Sequence, residues 1–223
     1  MMMSRRKRNW HPAGWFHIVM RGNNRSRIFR TPEDMAAFIA VIDECRERYR
    51  FTIIAYCVMT NHYHLLIKSP DVPLDKIMAR INRRYSDYYS KKYLHVGRIY
   101  EKRYYSKETE GPFAVLAVSS YIHRNPIDTR KPMVEQLIDY PYSSFPMYCS
   151  EDPAPKPWIE LDLLPTLLPV GIEPSRLTKT VSSQMKFNQS ISIRMTMNGR
   201  NMHTIFYLFI VFLYFTHSHA VIN

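Results

Sequence analysis

Two histidines separated by one residue are the first side chains in this sequence that could perform chemistry together. His62 and His64 lie in an apolar stretch, 55–68, which is typical of a β-strand. Because side chains alternate between the two faces of a strand, both imidazoles would project from the same face. A pair of imidazoles placed in this way can share a cation. The competing interpretation is one partly buried histidine and one exposed histidine with no common ligand.

A tyrosine and an asparagine further along the chain form the second candidate group. Pro112 suits the first turn of a helix, and Pro126 disfavours helical backbone at the residue before it, so the sequence predicts a helix over 112–124. A spacing of four residues places Tyr121 and Asn125 on one face of that helix. The competing interpretation is a core tyrosine followed by an asparagine that ends the helix.

The patterns of apolar residues and turn signals predict the elements that would position these side chains. In chain order they are a strand at 14–21, a helix that begins after Thr31, strands at 51–59 and 62–68, a helix at 73–93, a strand at 99–107 and the helix at 112–124. Thr60 and Asn61 form the expected turn between the second and third strands. This order predicts an α+β fold, in which an antiparallel sheet carries helices packed on one face.

The composition indicates a polyanionic partner. The 223 residues carry a formal net charge of +12, with a pI near 9.7, and such a charge attracts nucleic acid or an anionic surface. The three cysteines are widely spaced and form no Cys-x-x-Cys pair, which argues against a thiolate zinc site and a disulfide framework and favours a reducing cytoplasm. The apolar run 205–215 is shorter than the ~20 residues of a spanning helix, so we expect no membrane partner.

Basic residues and tyrosines alternate between residues 76 and 107. Positive side chains can follow a phosphate backbone, while aromatic rings offer stacking surfaces to unpaired bases. The competing interpretation is a solvated helical face with tyrosines in the core. The candidate nucleic-acid-binding residues, which include two from the first strand and its turn, are Arg21, Asn23, Arg80, Arg83, Arg84, Lys91, Lys92, Arg98, Lys102 and Arg103.

With these segments read together, the chain resembles the single-tyrosine HUH transposases, in particular the REP-associated tyrosine transposases of the IS200-like branch. The family's Asn-His-x-His-Leu-Leu strand is present at 61–66, and its Tyr-Ile-His-x-Asn-Pro helix end is present at 121–126. The stretches 19–25 and 140–145 also match the family. The resemblance covers roughly residues 12 to 160 in family order.

Two positions depart from the family pattern. Thr60 stands where the family commonly has proline, and Tyr63 is a polar-tipped aromatic residue where the family usually has a simple apolar one. Neither departure removes a candidate ligand.

The extent of the resemblance divides the chain into a basic N-terminal arm at 1–11, a catalytic domain at 12–160 and a C-terminal extension at 161–223 that we expect to be poorly ordered in part.

The resemblance implies an HUH or ferredoxin-like sandwich with the catalytic residue, Tyr121, on a C-terminal helix. It also implies a divalent metal, Mg²⁺ or Mn²⁺, held by His62, His64 and Asn125. The implied activity is cleavage and strand transfer of single-stranded DNA through a 5′-phosphotyrosine intermediate. The implied partner is single-stranded or hairpin DNA in a prokaryotic cytoplasm, in association with the nucleoid, and both a monomer and a homodimer remain open.

Two other classes of function compete with this one. A nucleic-acid-binding module could keep the sheet and the basic helix without doing chemistry, but it would have no need of His62, His64, Tyr121 and Asn125, which are all present. A hydrolase could use a histidine-bound metal without a covalent step, but the sequence lacks a convincing carboxylate cluster. A covalent protein–DNA adduct would distinguish the transposase from both.

The C-terminal residues give a first testable prediction. Neither motif lies in 175–223, and no regular core pattern runs through that segment, so its removal should preserve folding and DNA cleavage. Removal should also increase solubility, because the uncharged aromatic run 205–215 has high β-propensity and would promote aggregation when exposed. Circular dichroism and sedimentation of the truncated protein test this, and loss of folding would show that the run belongs to the core.

Overall fold

The computed structural model describes residues 10–150 and 156–167. The expectations for most of the basic arm at 1–11 and for the extension beyond residue 167 lie outside these residues. Residues 161–167 belong to the packed domain, because Leu164 is fully buried in a core cluster and Leu161 and Leu167 pack against it. The boundary drawn at residue 160 therefore falls inside a packed segment.

The centre of the domain is a four-stranded antiparallel sheet. Its strands are β1 (Trp15–Arg21), β2 (Thr52–Val58), β3 (His62–Lys68) and β4 (Tyr105–Thr109), in the spatial order β2-β3-β1-β4. Every neighbouring pair is antiparallel. β2 and β3 form a hairpin through Thr60 and Asn61, in which the backbone N–H of Met59 donates to the carbonyl of His62 at 2.8 Å. The predicted antiparallel α+β fold and its element order are confirmed.

The helices are α1 (Pro32–Arg48), α2 (Leu74–Tyr93), α3 (Gly111–Arg124), α4 (Phe145–Cys149) and α5 (Leu163–Thr166). α1 and α2 contact each other and cover one face of the sheet through a large apolar core that includes Phe38, Ile42, Ile77 and Ile81. Among the described residues, no helix is long and apolar enough to cross a membrane.

The expectation that all helices pack on one face is wrong for α3. β3 sends Tyr63, Leu65 and Ile67 into the core beneath α1 and α2, whereas Leu66 belongs to a second core on the other face. α3 closes that second core, and its side chains there include Leu116. Alternation along β3 supplies apolar side chains to both faces, so each face needs its own helical cover.

The fourth strand also differs from its predicted bounds, 99–107. Only Tyr105–Thr109 pairs with β1, and residues 99–104 form a loop that lies along the end of β1. In this loop the carbonyl of Ile99 accepts a hydrogen bond from the backbone N–H of Asn23, and the N–H of Glu101 donates to the carbonyl of Arg21. The loop is therefore fixed by backbone contacts even though it is not a strand.

One buried carboxylate joins α1 to α2. Asp34 has no solvent exposure, and each of its oxygens accepts several hydrogen bonds. The donors are the backbone N–H groups of Arg30 and Thr31, the hydroxyls of Tyr88 and Tyr93, and the ammonium of Lys92 at 2.6 Å. Burial by itself would raise the pKa of this carboxyl group, but the hydrogen bonds outweigh burial and lower the pKa to about 2. The network fixes the start of α1 against the end of α2.

We predict that Asp34→Asn lowers the free energy of unfolding by about 2–3 kcal/mol at pH 7, because the charged acceptor of several buried donors is lost. The stabilisation by the carboxylate is present above its unfolded pKa of 3.8 and is lost as the pH falls through the folded value of about 2. The difference between wild type and variant should therefore shrink over that range. Urea unfolding at several pH values measures it.

The control is Asp71→Asn, which removes a carboxylate that pairs with Arg50 at 2.8 Å on the exposed surface. Solvent screens such a pair, so this variant should unfold almost as the wild type does. An equal loss of stability in both variants would show that the buried network at Asp34 contributes no more than an ordinary surface pair.

Candidate active site

The site lies on the face of the sheet that α3 covers. His62 and His64 project from β3 to this face, and their ring centroids are 4.9 Å apart at an interplanar angle of 80°. In the neighbouring strand, Arg21 is the register partner of His62, and Val19 is the partner of His64. His64 is buried and His62 is half-buried. The predicted placement of both imidazoles on one face therefore holds in the structure.

Tyr121 lies on α3 directly above the histidines. Its ring makes edge contacts with the rings of His64 at 5.5 Å and His17 at 5.9 Å between centroids. The residue is 52% exposed, which argues against the interpretation of Tyr121 as a core tyrosine. An exposed phenol over a pair of imidazoles can meet a ligand that approaches from solvent.

Asn125 follows the last residue of α3 and continues its helical backbone, with φ −46° and ψ −41°. Its side-chain amide nitrogen donates to the carbonyl of Tyr121 at 2.8 Å, one helical turn earlier. The Asn125 side chain also interacts with His62 and favours the charged form of that imidazole. The structure thus brings the two motifs, which are distant in sequence, into direct contact.

A third histidine, His17, belongs to the same cluster and was not predicted from the sequence. Its Nε2 lies 2.9 Å from Nδ1 of His64, and the two rings meet edge to edge, with centroids 5.2 Å apart and an interplanar angle of 19°. β1 places it there because His17 is the register partner of Leu66, which makes it a diagonal neighbour of His64. The only signal in the sequence was a histidine in an otherwise apolar strand, and its partner depended on a strand pairing that the sequence does not state.

Burial keeps these histidines neutral. It lowers the pKa of His17 to about 4. Burial, together with the charge of Arg21, also lowers the pKa of His62 to about 4, against a smaller opposite effect of the hydrogen bond with Asn125. For His64, burial and then its neighbours His62, His17 and Arg21 hold the pKa well below its usual value. Neutral imidazoles keep a lone pair for a metal at neutral pH.

The donor set fits a divalent cation. Nε2 of His64 is buried and has no hydrogen-bond partner among the described residues, which is costly unless a ligand supplies one. His62 and Asn125 add an imidazole and a carboxamide, and mixed ligands of this kind suit Mn²⁺ somewhat better than Mg²⁺. In the described part of the chain, no group of three His, Cys, Asp or Glu side chains could hold a metal ion. A cation here would therefore need the carboxamide or oxygen atoms from a substrate.

Half of the candidate nucleic-acid-binding residues lie beside the site. The loop at 99–104 is hydrogen-bonded to the end of β1, where Arg21 faces His62. The residues brought together there are Arg21, Asn23, Arg98, Lys102 and Arg103, all of them exposed. Asn23 also lines an open cleft of about 340 Å³ with Asn24, Arg25 and Glu101.

Gly22 makes the sharp turn that places these residues. A Cβ atom at this position would lie 2.3 Å from the carbonyl oxygen of Ser26, so the chain can fold back closely only with glycine. Asn24 and Arg25 follow with φ of 50° and 56°, in the left-handed region that non-glycine residues rarely adopt. The turn places Asn23 and Asn24 in the lining of the cleft.

The other half of these candidates lie on α2, on the opposite face of the sheet from Tyr121. They are Arg80, Arg83, Arg84, Lys91 and Lys92. Two of them pair with carboxylates of the same chain, since Arg84 binds Glu44 at 2.8 Å on the exposed surface and Lys92 binds the buried Asp34. The structure therefore separates the basic residues into a group beside the site and a group across the sheet.

Comparisons with known proteins agree with this geometry. The family described as "Transposase IS200 like" matches residues 12–125, a range that contains His17, His62, His64, Tyr121 and Asn125. A solved structure, described as the REP-associated tyrosine transposase bound to a REP hairpin, is similar in fold. Its TM-score is 0.55 at 21% identity, and the match covers 70% of this chain and 91% of that chain.

No curated protein sequence matches the chain significantly. The family match nevertheless covers more than half of the chain, and it includes both motifs that the structure joins. The resemblance seen in the sequence is thereby confirmed, and the chain belongs to the IS200-like transposase family.

Proposed function

We propose that this transposase cleaves single-stranded DNA with Tyr121 as the nucleophile and with a divalent cation held by His62, His64 and Asn125. The observation that carries the proposal is the position of Tyr121, an exposed phenol whose ring contacts the buried His64. A tyrosine used only for packing has no need to be exposed above a histidine cluster. A DNA strand on this face would meet the phenol and the imidazoles together.

The reaction is a transfer of a phosphoryl group between two oxygen atoms. The phenolic oxygen of Tyr121 attacks a phosphodiester phosphorus, a bond forms to the tyrosine, and the bond from phosphorus to the 3′ oxygen breaks. The products are a 5′-phosphotyrosine and a strand with a free 3′-hydroxyl, whose oxygen gains one proton as the phenol loses one. A neutral phenol is a weak nucleophile and must be activated.

A bound divalent cation would stabilise the negative charge that develops on the phosphoryl oxygens. The chain supplies the rest of the arrangement. The rings of His64 and His17 contact the ring of Tyr121, and the side-chain amide of Asn125 donates to the backbone carbonyl of Tyr121. These contacts limit where the phenolic oxygen can lie, and such positioning lowers the barrier of the attack.

Because the energy of the broken ester is kept in the phosphotyrosine bond, a 3′-hydroxyl can attack that bond and join strands without an external energy source. Cleavage followed by joining is strand transfer, the chemistry that transposition requires. The alternative function is an inactive or domesticated binding module for DNA or RNA that keeps the fold. The intact cluster around Tyr121 favours the enzyme.

We propose single-stranded or hairpin DNA as the substrate. The solved structure of similar fold contains a REP hairpin. In this chain, Arg21, Asn23, Lys102 and Arg103 are exposed at the end of β1, where Arg21 pairs with His62, and in the loop hydrogen-bonded to that end, so they can contact phosphates of a strand that reaches Tyr121. Such a protein would act in the prokaryotic cytoplasm, at the nucleoid, either as a monomer or as a homodimer.

We predict that Tyr121→Phe abolishes a covalent protein–DNA adduct while DNA binding persists, because phenylalanine keeps the ring and removes the attacking oxygen. The assay incubates a labelled hairpin with a single-stranded flank and Mn²⁺ or Mg²⁺, followed by denaturing electrophoresis. His62→Ala and His64→Ala should each reduce the adduct by a factor on the order of 100 or more, because one imidazole and one amide hold a hard cation weakly. Asn125→Ala should be milder, since water can fill its position.

The matched control is Tyr105→Phe. Tyr105 is 51% exposed, nearly as much as Tyr121, and its ring contacts His17 at 6.4 Å from the side of β4. This variant should form the adduct at close to the wild-type level. If Tyr105→Phe removes the adduct while Tyr121→Phe keeps it, the assignment of the nucleophile is wrong.

We also predict a steep dependence of DNA affinity on salt. If about five phosphates of a single strand are neutralised, the logarithm of the affinity should fall with a slope near −3.5 against the logarithm of the salt concentration. The double variant Lys102→Ala with Arg103→Ala should make this slope shallower by about 1.4. Fluorescence anisotropy titrations from low to moderate salt measure both slopes.

The double variant Arg83→Ala with Lys91→Ala removes the same charge from the exposed surface of α2. It should change the slope less, because these residues lie across the sheet from Tyr121. A larger change in this variant than in the first would place the DNA on the face of α1 and α2.

A further inference from the structure

Each of the two histidines among the candidate metal ligands has a hydrogen-bond partner at its Nδ1 atom. Nδ1 of His62 lies 2.6 Å from Oδ1 of Asn61, and Nδ1 of His64 lies 2.9 Å from Nε2 of His17. We propose that Asn61 and His17 are positioning residues that hold both ligands in the tautomer with hydrogen on Nδ1, so that Nε2 of each is free to bind a cation. This inference rests on the proposed role of the histidine pair as metal ligands.

The orientation of the Asn61 amide is determined by a second contact. Its Nδ2 atom donates to the carbonyl oxygen of Arg25 at 3.1 Å, and a carbonyl oxygen can only accept. The amide nitrogen must therefore face Arg25, which leaves Oδ1 facing His62. Since Oδ1 also only accepts, Nδ1 of His62 must carry a hydrogen. A neutral imidazole has one ring hydrogen, so Nε2 of His62 carries a lone pair. The hydrogen bond of His62 with Asn125 favours the charged ring, which has hydrogens on both nitrogens, so it places no hydrogen on Nε2 of the neutral ring.

The pairing of His64 with His17 leads to the same tautomer by a different route. If His17 donated to Nδ1 of His64, the hydrogen of His64 would lie on Nε2. That atom is buried with no hydrogen-bond partner among the described residues, and a buried unpaired N–H group costs about 1–3 kcal/mol. If Nδ1 of His64 donates to Nε2 of His17, the buried Nε2 instead presents a lone pair.

The tautomer decides whether the pair can act as ligands. A hydrogen on Nε2 would occupy the position of the cation, and binding would first require a change of tautomer. Ligand histidines commonly donate their other N–H group to a fixed acceptor, which orients the ring and selects the tautomer. In this chain a carboxamide from the β2–β3 turn and an imidazole from β1 supply the two acceptors.

The direct test is two-bond ¹⁵N–¹H NMR of the metal-free, full-length protein labelled with ¹⁵N at histidine. This measurement identifies which ring nitrogen carries the hydrogen, and single substitutions assign the signals. We expect His62 and His64 to show the Nδ1–H tautomer at neutral pH, although free histidine in water favours Nε2–H. An Nε2–H tautomer at either residue in the wild type would overturn the proposal for that residue.

Two pairs of variants test the partners. Asn61→Ala removes the acceptor, whereas Asn61→Asp keeps an oxygen in its place. His17→Phe removes the acceptor, whereas His17→Gln keeps a carboxamide oxygen. We expect Asn61→Ala and His17→Phe to give a mixture of the two tautomers and to weaken Mn²⁺ binding by a factor of about 10–100. We expect Asn61→Asp and His17→Gln to restore the Nδ1–H signal in part. Electron paramagnetic resonance of free Mn²⁺ measures the affinity.

The signal of His123 serves as an internal control for folding. Its Nε2 lies 2.7 Å from the hydroxyl of Ser144, and its ring is buried against Phe145 and Tyr148. It should not change in any of these variants. If Asn61→Ala and His17→Phe leave both the tautomers and the Mn²⁺ affinity as in the wild type, the proposed positioning role of these two residues is wrong. If the tautomers are as expected and Mn²⁺ does not bind, the proposed metal role fails while the hydrogen-bond assignment stands.

Discussion

The register of β3 between β1 and β2 is the constraint on which the site depends. Tyr63, Leu65 and Ile67 enter the core beneath α1 and α2, and alternation then sends His62 and His64 to the face of α3. A slip of one residue would bury the imidazoles under α1 and α2 and move three large apolar side chains out of that core. Because full burial of one such side chain contributes ~1.5–3 kcal/mol, the core determines the register. The positions of the catalytic candidates are therefore a consequence of packing on the face they do not occupy.

Local patterns predicted the elements that are bounded by strong signals. Thr31 and Pro32 mark the start of α1, and Pro112 and Pro126 mark the limits of α3. The predicted strand at 99–107 includes a loop at 99–104, where aromatic residues that are common in strands instead pack in a loop against the core. Its conformation is determined by backbone contacts with Arg21 and Asn23, which local sequence does not encode. The face of the sheet on which α3 packs also depends on contacts between distant elements, so local sequence did not predict it.

The sequence predicted those parts of the site in which both residues of a pair lie within one short motif. His62 and His64 lie one strand step apart, and Tyr121 and Asn125 lie one helical turn apart, so each pair followed from its spacing. His17 could not be found in this way, because its contact with His64 arises from the pairing of β1 with β3. The basic residues of α2 and of the loop at 99–104 are close in the sequence, which suggested one binding surface. In the structure these two elements lie on different sides of the protein.

Tyr63 lies between His62 and His64 in the sequence, and its side chain points to the opposite face of β3. Its ring is fully buried against Phe38, and its hydroxyl donates to Oδ1 of Asn82 on α2 at 2.6 Å. A smaller apolar residue at position 63 would leave a void and an unused carboxamide, so positions 63 and 82 form one packing unit. A redesign that grafts the His-x-His strand into another chain of this fold would have to transfer Asn82 with Tyr63.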